Sequence, residues 1–372
     1  MTDTATLEFA WDRAVPTPTR QREELLSRPG MGATYSDHMV TVRWHAERGW
    51  HDARVQPLTA FALHPATMAF HYGQTIFEGM KAFWRPDGQR ALFRAADHAS
   101  RFNRSADRMA MPTLPEPDFL AAVTTLVRVD GAWVPPGRGQ SFYVRPFMIA
   151  AETHLSNRPA DEYLFAVIGS PARSAFAATP KPIRLWAATD HVRAAAGGTG
   201  AVKCGGNYGG SYVAQREAAA HGCDQVVWLD ARERRYVEEV GGSNLFFVES
   251  TADGPRLVTP PCGGTLLAGI TRDSILRLAT RFGYPVVEEP VALAEWERGC
   301  RDGRITEAFA CGTARAVVPV GHVASAEREW SVSGGEAGPV TLRLREALLD
   351  IQYGQAPDDF GWLRVVDTEG ED

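Results

Sequence analysis

Apolar and polar positions alternate along the chain in two rhythms. Residues 141–150 (SFYVRPFMIA) and 163–169 (YLFAVIG) are short, aromatic and β-branched runs that predict strands. Two earlier stretches, 58–72 and 80–94, carry strand-like runs broken by glycine and proline. Residues 96–110 predict a helix closed by Pro112. In 117–129, Phe119, Val123, Leu126 and Val127 recur at helical spacing and predict a second helix.

The patterning then lapses. Residues 170–182 (SPARSAFAATPKP) are rich in Ala, Ser and Pro, and they predict a connection between domains. The expected division is one domain over 1–173, a linker at 174–182 and a second domain over 183–372. In the second half, strands are expected at 183–189 and near 225–229, 244–249 and 306–311. Helices are expected at 208–220, 271–282, 291–299 and 339–352. Within the second of these, Ile275, Leu278, Ala279 and Phe282 share one face. The order is not a clean strand–helix alternation, so two α+β domains are favoured over a doubly wound parallel sheet.

Composition narrows the chemistry. At 372 residues, with ~150 residues per domain, about two domains are expected. The net charge of −6 argues against a general nucleic-acid binder. The N-terminus has acids where a secretory signal needs positive charge. The longest strongly apolar run, Tyr163 to Ile168, is far shorter than the ~20 residues of a membrane span. A cytoplasmic location and no membrane partner are therefore expected. Five cysteines without a CxxC, and histidines without HExxH spacing, suggest neither a disulfide framework nor a metal site. Only three of the 39 basic residues are lysines: Lys81, Lys181 and Lys203.

Amine chemistry therefore has three candidates. Lys181 lies between two prolines in the expected linker, and Lys81 has the alternation of an outward strand position. Lys203 stands apart, in GGTGAVKCGGNYGG (197–210), where seven of fourteen residues are glycine. Glycine lets other groups approach the backbone closely. The nucleotide-loop pattern fails, because Val202 and Cys204 flank the lysine instead of Gly and Ser/Thr. A lysine among small residues suits a Schiff base, since partial desolvation favours the neutral, nucleophilic amine.

A pyridoxal cofactor would also need a ring-nitrogen partner and an anion site. Glu238 and Glu239, before a Gly-Gly turn and an apolar strand, are both candidates for the first. GITRDS (269–274) joins a glycine, a hydroxyl and a helix start, and CGTAR (311–315) is a second tight turn with free amides. Arg101, Arg104 and Arg108 lie on one face of the first helix, among 36 arginines in all.

Taken together, these segments resemble the branched-chain amino acid aminotransferases of the fold-type IV class of pyridoxal phosphate enzymes. The resemblance rests on YSDHM (35–39), HYGQTIFEGMKAF (71–83), FYVRP (142–146), GGTGAVKCGGNYGGSYVAQ (197–215), EEVGGSNLFFV (238–248), LVTPP (257–261), GITRDSIL (269–276), FACGTAR (309–315) and DIQYG (350–354). It implies a small N-terminal α/β domain, a larger C-terminal pseudo-barrel domain, and a homodimer with the site between the domains. It implies Lys203 as the Schiff-base lysine, Tyr208 as donor to the ring hydroxyl and Glu239, of the two glutamates, for the ring nitrogen. Arg101, Ile270, Thr271 and Thr313 would hold the phosphate of pyridoxal 5′-phosphate. The Thr313–Ala314 turn would present amides to the substrate carboxylate. Tyr72, Phe77, Tyr143 and Arg145 would line the side-chain pocket, with Arg145 taking the distal carboxylate of glutamate.

The implied reaction is ping-pong transfer of an amino group from leucine, isoleucine or valine to 2-oxoglutarate. Its partners are small amino acids and 2-oxo acids. Two pocket positions depart from the family: Met31 stands where an aromatic residue is usual, and Ala175 where a tyrosine is usual. Both departures predict a pocket more tolerant of bulky side chains. Arg315 and Val318 replace the CxxC redox pair of some animal members, so that thiol regulation is expected to be absent. A D-amino acid aminotransferase, an aminodeoxychorismate lyase and a non-catalytic binder are the rival readings.

Overall fold

Two β-sheets, one in each of two units, organise the chain in a computed structural model that describes residues 7–28, 30, 32–173 and 180–367. The first unit comprises Met1–Ala177, Lys203–Gly206 and Gln352–Asp372, and the second Ala178–Val202 and Asn207–Ile351. The short lysine segment thus clusters with the first unit, although it lies deep in the sequence of the second. The linker expected at 174–182 falls largely on 174–179, outside the described residues.

The first unit's strands are β1 (Ala10–Trp11), β2 (His38–His45), β3 (Gly49–Pro57), β4 (Thr75–Phe77), β5 (Met80–Trp84), β6 (Arg90–Phe93), β7 (Gln140–Ala150) and β8 (Glu162–Arg173), with Leu363–Val366 as a ninth. Their order is β1-β3-β2-β8-β7-β5-β6 and then Leu363–Val366, while β4 pairs with β7. Strand β7 shows why the sheet has two unlike faces. Its period of two buries Phe142, Val144, Pro146, Met148 and Ala150 and leaves Tyr143, Arg145, Phe147 and Ile149 only half-buried. The register sets Lys81 of β5 opposite Tyr143, on that second face.

Helices α1 (Ala95–Arg108) and α2 (Glu116–Val129) hold the apolar side together. Helix α2 packs on β2 and β8. Phe102, Phe119 and Phe165 meet with ring centroids 5.3–5.9 Å apart, and all three are fully buried. Each such ring contributes about 1.5–3 kcal/mol by leaving water.

The second unit's strands are β9 (Ile183–Ala187), β10 (Gln225–Leu229), β11 (Val237–Val240), β12 (Ser243–Thr251), β13 (Gly254–Thr259), β14 (Val286–Glu288), β15 (Ile305–Gly312), β16 (Ala316–Ala324) and β17 (Glu329–Ser331). The order β11-β10-β9-β16-β15-β12 is closed by a further β11–β12 pairing, which makes a six-stranded ring. This is the barrel-like sheet expected of the second domain. Phe246 stacks on Phe309 across the β12–β15 register at 5.1 Å. Helices α3 (Tyr212–Ala220) and α4 (Ile270–Arg281) belong to this unit.

Two local expectations are corrected. Residues 58–72 form no strand: Met68–Tyr72 is a short helix that ends at a left-handed Gly73. Pro57 and Pro65 cannot donate to a ladder, so an apolar run between them gains little from sheet pairing. The helix expected over 208–220 is two pieces, Gly206–Gly209 and α3. Gly209 and Gly210 weaken the helix at the break, where backbone entropy is largest. Among the described residues no helix is long and apolar enough to cross a membrane.

Candidate active site

In the first unit the lysine segment is laid against β4 like an extra edge. Cys204 bridges Ile76, the Gly205 N–H donates to the Thr75 carbonyl at 3.1 Å, and the Phe77 N–H donates to the Lys203 carbonyl at 3.0 Å. The Lys203 N–H donates to Ser105 Oγ of α1 at 3.1 Å. Both backbone groups of Lys203 are thereby fixed, and its Nζ lies 4.8 Å from the Phe77 ring centre. Of the other two lysines, Lys181 is exposed. Lys81 faces Tyr143 across the register, and burial pushes its ammonium down to about 8.

Arg101 lies on the buried side of α1, 4% exposed. Its Nε and Nη2 donate to the two oxygens of Glu78 at 2.7 and 2.8 Å. His98 Nδ1 is 2.7 Å from Glu78 Oε2, and the Gly79 N–H donates to the same oxygen at 3.2 Å. Burial pushes the Glu78 carboxyl up, but Arg101 and His98 overcome it and hold the group well below the usual carboxylate range. Burial lowers the His98 imidazole despite the pull of Glu78. Glu78 is signalled by the sequence only through its place in HYGQTIFEGMKAF, and His98 not at all.

The same unit brings Phe77, Tyr143 and Arg145 together. The Arg145 guanidinium lies 4.7 Å from the Phe77 ring centre and 5.2 Å from that of Tyr143. Its Nη2 donates to Tyr143 Oη at 3.0 Å, while its buried Nε has no hydrogen-bond partner among the described residues. Tyr143 and Arg145 line a cavity of ≈ 190 Å³ with Gly32, Tyr35 and Ile168. Gly79 is fixed by close approach: a Cβ there would meet Tyr143 Oη at 1.9 Å. Tyr72 is 38% exposed, and its hydroxyl donates to the Leu155 carbonyl. Met31 and Ala175 lie outside the described residues.

The second unit holds the remaining candidates. Glu239 is 1% exposed on β11, in the β11–β12 hairpin, opposite Asn244. The Leu267 N–H donates to its Oε1 at 2.5 Å, and Arg193 Nε is 3.1 Å from its Oε2. Glu238 points the other way: it is half-buried, accepts a hydrogen bond from Thr265 Oγ1, and is raised by burial. The structure thus separates two glutamates that the local sequence leaves equivalent. The Tyr208 ring lies 3.6 Å from where a Gly242 Cβ would stand. Ile270 and Thr271 occupy the first turn of α4 and are 6% and 5% exposed. Thr313 is half-buried and Ala314 exposed in the turn between β15 and β16. Ala314 shares a second cavity of ≈ 200 Å³ with Gly242, Ser243 and Gly312.

The donor set in each unit fits one half of a phosphorylated aldehyde cofactor. The first unit offers an anchored amine and a buried guanidinium. The second offers a buried carboxylate, a phenol and a helix N-terminus whose amides and Thr271 hydroxyl suit a phosphate. Among the described residues no cluster of three or more metal-ligating side chains occurs.

Comparison with known proteins agrees with this inventory. The family model for class IV aminotransferases matches residues 75–323. A probable branched-chain-amino-acid aminotransferase of Streptomyces coelicolor is 49% identical over 95% of this chain and 97% of its own length. A branched-chain amino acid aminotransferase of T.th. origin, solved with pyridoxamine 5′-phosphate, superposes with a TM-score of 0.71 at 29% identity, covering 91% of this chain and 98% of that one. The same protein complexed with N-(5′-phosphopyridoxyl)-L-glutamate gives 0.69 at 29% identity, covering 91% and 98%.

Proposed function

The chain belongs to the class IV aminotransferases, and from that premise we propose that it transfers the amino group of leucine, isoleucine or valine to 2-oxoglutarate with pyridoxal 5′-phosphate. The observation that carries this reading is the likeness to a branched-chain-amino-acid aminotransferase at 49% identity over 95% of the chain. Bound pyridoxal phosphate supplies an electrophilic carbonyl carbon and a ring that accepts an electron pair. Everything else is work for the chain's own residues.

Lys203 is assigned the covalent hold on the cofactor and, once released, the removal and return of the substrate's α-proton. Its fixed backbone supports this, because a base that shuttles a proton between neighbouring atoms must keep its position. Tyr208 is assigned to the ring hydroxyl and Glu239 to the ring nitrogen, where a carboxylate keeps the proton on nitrogen. Arg101, Ile270, Thr271 and Thr313 are assigned to the phosphate, and the Thr313–Ala314 turn to the substrate carboxylate. Tyr72, Phe77, Tyr143 and Arg145 are assigned to the side-chain pocket, with Met31 and Ala175 joining them on sequence grounds alone. The unpartnered Arg145 Nε supports a carboxylate ligand, because a buried donor left unmade is costly.

A homodimer is part of the same proposal. Phe70 and Leu155, exposed by 61% and 62%, are large apolar side chains that would gain from being covered. A cytoplasmic location is supported by five cysteines that are all free thiols. Light scattering should give twice the 40.7 kDa chain mass.

The direct test is a panel of amino donors with 2-oxoglutarate on the purified, cofactor-loaded protein, reading glutamate formed. Leucine, isoleucine and valine should lead, and Lys203→Ala should lose turnover together with the visible band of the bound cofactor. Glutamate from none of the three donors would overturn the substrate assignment. Turnover retained by Lys203→Ala would remove that residue from its role.

A further inference from the structure

Arg193 lies ten residues before Lys203, in a segment that is neither helix nor strand. Its side chain is 7% exposed, and that of Glu239 is 2% exposed. The guanidinium touches three separate segments. Nε faces Glu239 Oε2 at 3.1 Å. Nη1 donates to the Thr265 carbonyl at 2.9 Å and to the Gly200 carbonyl at 3.2 Å, and Nη2 donates to Gly200 at 3.3 Å. The approach is close enough to dictate residue type: a Cβ on Gly200 would sit 2.2 Å from the Thr265 oxygen and 2.6 Å from Ala194 Cβ.

The geometry points to Arg193 as the positioning residue of Glu239, fixing that carboxylate in place and holding it as an anion. This rests on the assignment of Glu239 to the cofactor's ring nitrogen. A carboxylate this deeply buried is expensive unless paired and hydrogen-bonded. Here the pairing comes from Arg193 and a hydrogen bond from the Leu267 N–H. Arginine suits the task because it stays charged and its planar fork reaches several acceptors at once. Two main-chain carbonyls hold the guanidinium, and its charge faces the carboxylate at 3.1 Å. With a permanent positive charge behind it, the carboxylate is a poor place for the proton it shares with the ring nitrogen. The proton therefore stays on the ring, where it makes the ring a better electron acceptor.

The test uses full-length protein reconstituted with pyridoxal phosphate labelled with ¹⁵N at the ring. Two readouts are taken, the ¹⁵N resonance and the cofactor dissociation constant, with the melting curve of the cofactor-free protein as a folding control. In the wild type the resonance should be that of a protonated ring nitrogen. Arg193→Gln keeps a hydrogen-bonding amide but removes the charge. It should move the resonance toward the neutral value and weaken cofactor binding by roughly tenfold. In a Glu239→Gln background the same change should add less than about twofold, because Arg193 then has no carboxylate to act through.

A wild-type resonance and affinity in Arg193→Gln would overturn the inference. Equal losses in both backgrounds would also overturn it, since Arg193 would then act independently of Glu239. If Arg193→Gln does not fold, Arg193→Lys decides. It should keep the protonated resonance but bind cofactor about threefold more weakly, having lost the fork; unchanged affinity would overturn the positioning role. A wild type that binds no cofactor would sink the reading of Glu239 instead, and with it the functional assignment.

Discussion

Each unit contains a buried glutamate clasped by a buried arginine, and the two clasps are built in opposite senses. In the first unit Glu78 serves Arg101: its two oxygens take Nε and Nη2 at 2.7 and 2.8 Å, and His98 and the Gly79 amide fill the rest. The carboxylate is 0% exposed and is engaged by all of these donors. In the second unit Arg193 serves Glu239: the guanidinium spends its Nη atoms on main-chain carbonyls and meets the carboxylate through Nε. In the first clasp His98 and the Gly79 amide fill the carboxylate, and in the second the Thr265 and Gly200 carbonyls fill the guanidinium's Nη atoms. On the assignments proposed above, the same pair of residue types offers a cation in one place and an anion in the other. A phosphorylated, nitrogen-protonated cofactor needs one of each.

The comparison breaks first under loss of charge at the saturated partner. Glu78→Gln would replace the carboxylate that pairs with the buried Arg101 by a neutral amide. Breaking such a pair costs about 3–5 kcal/mol. A urea titration of the cofactor-free protein should show a loss in that range, along with weaker cofactor binding through a displaced Arg101. Glu239→Gln should be milder for stability, about 1–3 kcal/mol, because Arg193 keeps the Thr265 and Gly200 carbonyls. Its main effect should fall on the cofactor. Equal destabilisation by the two variants would show that the clasps are equivalent and that the asymmetry has no energetic content.

The two clasps also differ in how far the sequence reveals them. The alternation in β7 was readable from SFYVRPFMIA, and with it the shared face of Tyr143 and Arg145. Helices α1 and α2 were readable from apolar spacing and from Pro112. Lys203 stood out because lysine is rare here and glycine surrounds it. Arg193 could not stand out, since 36 arginines give no local contrast and two of its three partners, Glu239 and Thr265, are distant in sequence. Glu78 was hidden for another reason: a carboxylate beside a glycine looks like a surface turn until His98 and Arg101, twenty and twenty-three residues on, fold over it. The six-stranded ring is likewise a long-range fact, because it needs the β9–β16 and β12–β15 pairings between strands far apart in sequence. Residues 58–72 carry strand-like runs broken by proline, but Pro57 and Pro65 remove ladder donors, and the stretch gains too little from pairing to form a strand.

The smallest expected effect concerns pH, and it separates the clasps most finely. His98 is fully buried against Glu78, and burial lowers its pKa from 6.5. Its folded form is therefore neutral where the unfolded chain already binds a proton. Between the lowered value and 6.5 the unfolded state carries more protons, so stability falls as pH drops below about 6.5. Glu78 has the same sign at lower pH. Its folded pKa is held below the ordinary 4.5, so its contribution is present above that value and is lost as pH falls further. Two acid-side losses should appear in series in melting curves of the cofactor-free protein, the first just below pH 6.5 and the second below pH 4.5. His98→Gln keeps a donor for Glu78 but cannot titrate. It should flatten the first loss, just below pH 6.5, and leave the second in place. If the His98→Gln slope matches the wild type over that window, the imidazole is not held neutral by the fold. Glu78 would then be facing a second full cation, and the contrast drawn with the single guanidinium beside Glu239 would have to be redrawn as one of charge count, not of orientation.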